Sequence, residues 1–228
     1  MTGLPGRLVI LVTLVVLLRP APTREFRILF IGNSLTAANG LPDMVQAMGK
    51  ASGQGIRVAS TALPNFSLED HLQQGDAARA IERGGWTHVV LQQGPSALPD
   101  SRVQLVRDVK RFDALIRAHG GRTCVFMVWP SSMRAFDFDG VVASYTEAAR
   151  AADAILIPAG SAWRAAWTED RALELYAADG FHPSPLGSEL AAMTVYHRLI
   201  GALPAHPPGE LVRGATRDIF RRAVLVAR

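Results

Sequence analysis

Two short segments far apart in the chain carry residue types that could do chemistry together. The first is Phe30-Ile31-Gly32-Asn33-Ser34-Leu35-Thr36, where an apolar run stops at a glycine and a serine follows. A glycine at that point allows a tight turn, which would leave the Ser34 hydroxyl exposed at the end of a strand. The second is Asp179-Gly180-Phe181-His182-Pro183. An Asp and a His three apart on a turn let the carboxylate hold the imidazole in one tautomer. If His182 meets Ser34, a nucleophile, a base and an orienting acid are assembled. Each residue alone has a plainer reading, Ser34 as a turn or helix N-cap serine and His182 as a surface loop histidine. Their joint placement, each at a strand-to-helix junction, favours the chemical one.

Those junctions need elements to hold them. Apolar runs of strand length fall at 27–32, 56–63, 87–92, 123–129 and 154–158, and helical patterns at 41–51, 68–83, 102–119 and 141–152. The third helix reads best, with Val103, Val106, Val109, Phe112, Leu115 and Ile116 as its apolar stripe. A connecting segment with Trp163 and Trp167 leads to a last helix at 185–200. Continuous apolar strands alternating with helices imply a parallel sheet covered on both faces, an α/β fold in three layers. In such folds ligands gather at the carboxyl ends of the strands. With no internal repeat or low-complexity linker, 26–203 reads as one domain and 204–228 as a basic helical tail packed on it.

Other chemistries find little support. There is no GxGxxG, GxxxxGK[ST], HExxH or GxSxG in the chain. Neither a cofactor nor a metal is expected. The acidic pairs Asp137, Asp139 and Glu169, Asp170 have no histidine at ligand spacing and read as solvated loops. His71 reads as a helix-surface or core histidine, with a place facing the site as the lesser alternative. Trp129 ends the fourth strand and is the substrate-binding candidate, as a wall for an acyl or sugar group, although core packing is the favoured reading. Cys124 is the single cysteine, flanked by Val125 and Phe126, and is expected to be buried.

The formal net charge is +4, with 24 Lys and Arg against 20 Asp and Glu. The arginines are dispersed apart from Arg213, Arg217, Arg221 and Arg222, so nucleic acid is not an expected partner. Mean hydropathy is +0.15, and nearly all of that excess lies in residues 1–22. There Arg7 precedes an apolar stretch at 8–18, then Arg19-Pro20-Ala21-Pro22. The stretch falls short of the ~20 residues that span a bilayer but suits a signal peptide. No A-x-A site follows, so an uncleaved N-terminal anchor is the alternative to export.

At these motifs the chain resembles the SGNH hydrolase superfamily, the GDSL-type esterases and lipases. The G-D-S-L block appears as Gly32-Asn33-Ser34-Leu35. The D-x-x-H block appears as Asp179 to His182, followed by Pro183-Ser184-Pro185-Leu186-Gly187. The resemblance implies a flavodoxin-like sheet of five parallel strands, with Ser34 as nucleophile, His182 as base and Asp179 as orienting acid. It also implies an oxyanion hole built from the N–H groups of Ser34 and of the residue at Asn65, where the family carries glycine. The family's third block, G-x-N-D, is replaced by Leu91-Gln92-Gln93-Gly94-Pro95-Ser96, so Gln92 or Gln93 would supply the amide, with Ser96 a poorer candidate. Such a Gln-containing block marks a divergent branch. The expectation is an exported serine esterase acting on a small-molecule or carbohydrate ester, such as O-acetyl groups or short-chain acyl esters. The altered third block leaves a non-catalytic carbohydrate- or surface-binding module as the alternative.

Overall fold

Parallel strands cannot be joined by tight turns, so each apolar run must be followed by a crossover that lies over a sheet face. The chain obeys this in a computed structural model that describes residues 25–205 and 212–227. Five strands form one sheet: β1 (Phe26–Gly32), β2 (Ile56–Ala62), β3 (His88–Leu91), β4 (Arg122–Phe126) and β5 (Ile155–Ile157). All pairings are parallel and the order is β2-β1-β3-β4-β5. This is the flavodoxin-like order, whose switch point lies between β1 and β3. Both strands are buried along almost their whole length.

The helices are α1 (Ser34–Ala37), α2 (Leu41–Ala51), α3 (Leu68–Gln74), α4 (Asp76–Glu82), α5 (Pro99–Ala118) and α6 (Phe138–Ala151). They continue with α7 (Ala159–Glu169), α8 (Pro185–Ile200) and α9 (Gly214–Val226). They form two packed groups, α2 with α7 to α9 and α3 with α4 to α6, giving the three layers. In the tail, α9 packs on α7 and α8 and buries Phe220, Ala223 and Val224. Cys124 is buried in β4, and burial raises its thiol pKa. The leader expected at 1–22 lies outside the described residues. Among those described, no helix is long and apolar enough to cross a membrane.

Several element boundaries differ from the sequence reading. The helix expected over 68–83 is two helices, broken at Gly75, whose φ of +85° only glycine adopts cheaply. The segment with Trp163 and Trp167 is a helix, α7, which directs both indoles inward at i and i+4. The stripe of α5 runs through Leu105, Asp108, Val109, Phe112 and Ile116, while Val103 is 69% exposed. Valine alone does not mark the buried face, because Asp108 is carried inside by a 2.8 Å ion pair with Arg107. Strand pairing in β4 ends at Phe126, although Met127, Val128 and Trp129 remain buried.

Candidate active site

The central strand β1 delivers Ser34 to the carboxyl edge of the sheet as the first residue of α1. Asn33 caps that short helix, its Oδ1 accepting from the Leu35 N–H at 3.1 Å. Gly32 is required for space rather than for a turn, since its φ is not positive. A Cβ there would lie 2.5 Å from both Gln92 Oε1 and Thr36 Oγ1. Beneath the turn, His71 on α3 hydrogen-bonds the Gly32 carbonyl through Nε2 at 2.7 Å. The ring is fully buried against Phe66, and its Nδ1 has no partner. Burial lowers its pKa, so the ring is held neutral, with Nε2 as donor. His71 therefore supports the nucleophile turn from below and does not line the cleft.

The second segment is a loop between α7 and α8, anchored on several sides. The Ala177 N–H donates to the His182 carbonyl at 2.8 Å, and the Ser132 N–H to that of Gly180 at 2.8 Å. Trp129 Nε1 donates to the Phe181 carbonyl at 3.1 Å, and Asn39 Nδ2 to that of Pro183 at 2.9 Å. These bonds set His182 Nε2 2.9 Å from Ser34 Oγ, and His182 Nδ1 2.6 Å from Asp179 Oδ2. The other carboxylate oxygen, Asp179 Oδ1, accepts the N–H groups of Phe181 and His182, both at 2.9 Å. The bond from the His182 ring, aided by those two N–H donors, holds the Asp179 pKa down at about 2. An ionised Asp179 fixes the proton on Nδ1 and leaves Nε2 free to accept from the Ser34 hydroxyl.

Facing this pair is a set of hydrogen-bond donors. Neither the Ser34 nor the Asn65 N–H meets an acceptor among the described residues. Asn65 sits in the left-handed region with φ +63°, a conformation asparagine tolerates better than most residues. Gln93 Oε1 accepts the Leu68 N–H at 3.2 Å, while Nε2 donates to Ser96 Oγ at 2.9 Å and has a second N–H to spare. Gln93 lines the same cleft as Ser34 and Asn65.

Gln92 does not serve this purpose, correcting the expectation that either glutamine could. It is fully buried, and Oε1 accepts the Asn33 N–H at 2.9 Å and the Thr36 hydroxyl at 2.7 Å. Its amide donates to Asn33 Oδ1 at 3.0 Å and to the Gln93 carbonyl at 2.5 Å. Trp129 also departs from its expected role as a substrate wall. It is completely buried, stacked on Trp163 with ring centroids 3.6 Å apart, and it braces the His182 loop. Gln92 was not separable from Gln93 because adjacent residues at a strand end point to opposite sides, and Trp129 is covered by Trp163 from a helix the sequence reading did not place.

The cleft holds about 350 Å³ and is lined by Asn33, Ser34, Asn65, Phe66, Gln93 and Phe181, among others. The loop acids expected to be solvated include three paired with arginines: Asp137 with Arg134, Asp139 with Arg164 and Glu169 with Arg222. Among the described residues no three or more His, Cys, Asp and Glu side chains cluster as metal ligands would. Three contributors went unnoticed in the sequence: Thr36, Asn39 and Tyr145, whose buried hydroxyl donates to the carbonyls of Gln93 and Gly94. Only Asn39-Gly40 left a trace, as a turn dipeptide.

No protein-family model and no curated protein matches the chain. Solved structures do. A protein from Slackia heliotrinireducens assigned as an SGNH hydrolase shares 29% identity, with a TM-score of 0.66 over 77% of this chain and 100% of its own. A lipase/acylhydrolase from Enterococcus faecalis shares 20% identity, with a TM-score of 0.64 over 80% of this chain and 100% of its own. The acetylxylan esterase Axe2 from Geobacillus stearothermophilus shares 15% identity, with a TM-score of 0.56 over 77% of this chain and 93% of its own. Below a quarter identity the likeness concerns the fold alone.

Proposed function

We propose that this chain, a member of the SGNH hydrolase superfamily, is a serine esterase that hydrolyses carboxylic esters through Ser34, His182 and Asp179. The single observation that carries the reading is the 2.9 Å contact between Ser34 Oγ and His182 Nε2. His182 takes the Ser34 proton as Oγ attacks the ester carbonyl. The oxyanion is received by the N–H groups of Ser34 and Asn65 and by the Gln93 amide. The carbon–oxygen bond to the alcohol breaks, and His182 protonates the departing alkoxide. Water then attacks the acyl-serine, giving its proton to His182, and the acid leaves as Ser34 regains its hydrogen. Asp179 stays ionised throughout and stabilises the imidazolium.

The substrate is an ester of a small molecule or carbohydrate, with short-chain acyl esters and O-acetyl groups as the first to try. An acetylxylan esterase shares the fold, so acetyl esters belong in the first panel of substrates. Residues 1–22 are read as an export signal, and N-terminal sequencing of protein from the exported fraction tests this. The enzymatic reading is tested by p-nitrophenyl acetate hydrolysis with the parent, Ser34→Ala and His182→Ala. Both substitutions are expected to remove the activity, and equal rates in all three proteins would refute the assignment.

A further inference from the structure

Beneath the reacting serine lies a polar side chain that packing alone does not account for. His71 is completely buried, and its Nδ1 meets no hydrogen-bond partner among the described residues. A buried acceptor left unpaired lowers stability, and a leucine would occupy a similar volume without that penalty. The ring makes one hydrogen bond, from Nε2–H to the Gly32 carbonyl at 2.7 Å. A position that departs from what stability favours is one where function sets the residue.

The Gly32 carbonyl is a junction between the segments that carry the oxyanion donors. It also accepts the Leu63 N–H at 3.1 Å, where the turn bearing Asn65 begins. In the same peptide plane the Asn33 N–H donates to Gln92 Oε1 at 2.9 Å, so both sides of the unit preceding Ser34 are held. The next unit, which contains the Ser34 N–H, has its carbonyl held by the Thr36 and Ala37 N–H groups at 3.0 and 3.1 Å. The His71 ring packs on Phe66, with centroids 5.0 Å apart. Phe66 follows Asn65, and its carbonyl accepts from Asn33 Nδ2 at 3.0 Å. At the start of α3, the helix of His71, the Leu68 N–H donates to Gln93 Oε1 at 3.2 Å and so orients that amide.

We propose that His71 is the positioning residue of the oxyanion hole: through the Gly32 carbonyl, Phe66 and α3 it keeps the N–H groups of Ser34 and Asn65 and the Gln93 amide aimed at one point. The inference rests on the serine-esterase reading and adds to it a residue that never touches the ester. Its effect falls on the transition state and not on substrate binding, because the oxyanion forms only there. Displacing such a group by ~1 Å lowers the rate by up to about a hundredfold.

The test compares His71→Leu, His71→Asn and His71→Gln with the parent on p-nitrophenyl acetate. Leucine removes the Nε2 donor together with the unpaired Nδ1. Asparagine is too short to reach the Gly32 carbonyl, whereas glutamine can place an amide N–H where Nε2–H lies. In His71→Leu and His71→Asn, kcat is expected to fall about tenfold or more with KM within about twofold of the parent. His71→Gln is expected to be about fivefold or more faster than His71→Leu. The Tm of His71→Leu is expected to hold or rise while kcat falls, an opposition that a merely structural histidine would not produce. Folded Leu and Asn variants at parental kcat, a Gln variant no faster than the Leu variant, or a kcat that falls only with Tm, overturn the inference alone. Should the variants fail to fold, the parent decides: 15N NMR at the assay pH is expected to show the His71 ring neutral and protonated on Nε2. A proton on Nδ1, or a charged ring, overturns the proposal. Hydrolysis that survives Ser34→Ala, or no hydrolysis by the parent, overturns the esterase reading beneath it.

Discussion

Gln92 and Asn33 form a reciprocal pair across the switch point of the sheet. The Asn33 N–H donates to Gln92 Oε1 at 2.9 Å, and Gln92 Nε2 returns a bond to Asn33 Oδ1 at 3.0 Å. Because Asn33 also caps the helix that begins at Ser34, the end of β3 fixes the position of the nucleophile at the end of β1. The hydrogen bond from Thr36 to Gln92, and the absence of a Cβ at Gly32, belong to the same arrangement.

Gln92→Ala should therefore cost more than one interior residue ordinarily would. It strands the Asn33 N–H and the Thr36 hydroxyl, and each buried unsatisfied group costs about 1–3 kcal/mol. A loss of about 2–4 kcal/mol in urea unfolding is expected, with kcat reduced and KM little changed. A stability within about 0.5 kcal/mol of the parent would show that the pair positions nothing.

Gln93 tests the oxyanion hole. Gln93→Glu can still accept the Leu68 N–H but replaces the donor with a negative charge where the oxyanion would form. Removing one such donor lowers kcat about 10²–10³-fold. Gln93→Glu is expected to lose at least that much, and Gln93→Asn less. Steady-state kinetics that show Gln93→Glu at parental kcat would move the third donor elsewhere.

Asn39 links the two catalytic segments. Its Nδ2 donates to the Pro183 carbonyl at 2.9 Å and to Ser188 Oγ at 2.8 Å, from a backbone with φ +54°. Asn39→Gly keeps that conformation available and deletes only the side chain. A fall of about tenfold in kcat with KM retained is expected, since a misplaced base lowers the rate more than binding. Equal losses in kcat and Tm for Asn39→Gly and an unrelated surface glycine would mean that the strut is merely structural.

The pH dependence follows from Asp179, whose pKa is depressed to about 2 by the His182 ring and two backbone N–H groups. The native contacts of this carboxylate favour the folded state fully above its ordinary pKa of 3.8 and are lost as pH falls towards 2. Asp179 therefore stays ionised at any higher pH and adds no proton of its own to the activity profile. The acid limb of log kcat/KM is expected to have unit slope. A slope of two would require a second group, such as Asp179, to titrate in the same range.

How much of this was legible depended on whether a residue's neighbours were local or distant. The five strands and the α/β class follow from apolar runs at β1 to β5, and the flavodoxin-like order from the resemblance at Gly32-Asn33-Ser34-Leu35. The pairing of Asp179 with His182 was legible because both lie on one turn. Gln92 and Gln93 were not separable, because adjacent residues at a strand end point to opposite sides, and only the partner across the sheet, Asn33, decides which is buried. Trp129 failed similarly: Trp163, which covers it, lies on a helix that composition alone did not reveal. Gly32 was noticed for the wrong reason, since the side chains that crowd it, Gln92 and Thr36, meet only in the folded chain.

The reactivity of Ser34 itself offers the most direct test. Folded protein is incubated with a fluorophosphonate, which forms an Oγ–phosphorus bond as fluoride leaves, and the peptide containing Ser34 is weighed by mass spectrometry. A hydroxyl that donates to His182 and sits beside the N–H groups of Ser34 and Asn65 should be phosphonylated stoichiometrically and alone among the serines. Folded protein that takes up no label at Ser34, or labels other serines equally well, would contradict the assignment of Ser34 as the nucleophile.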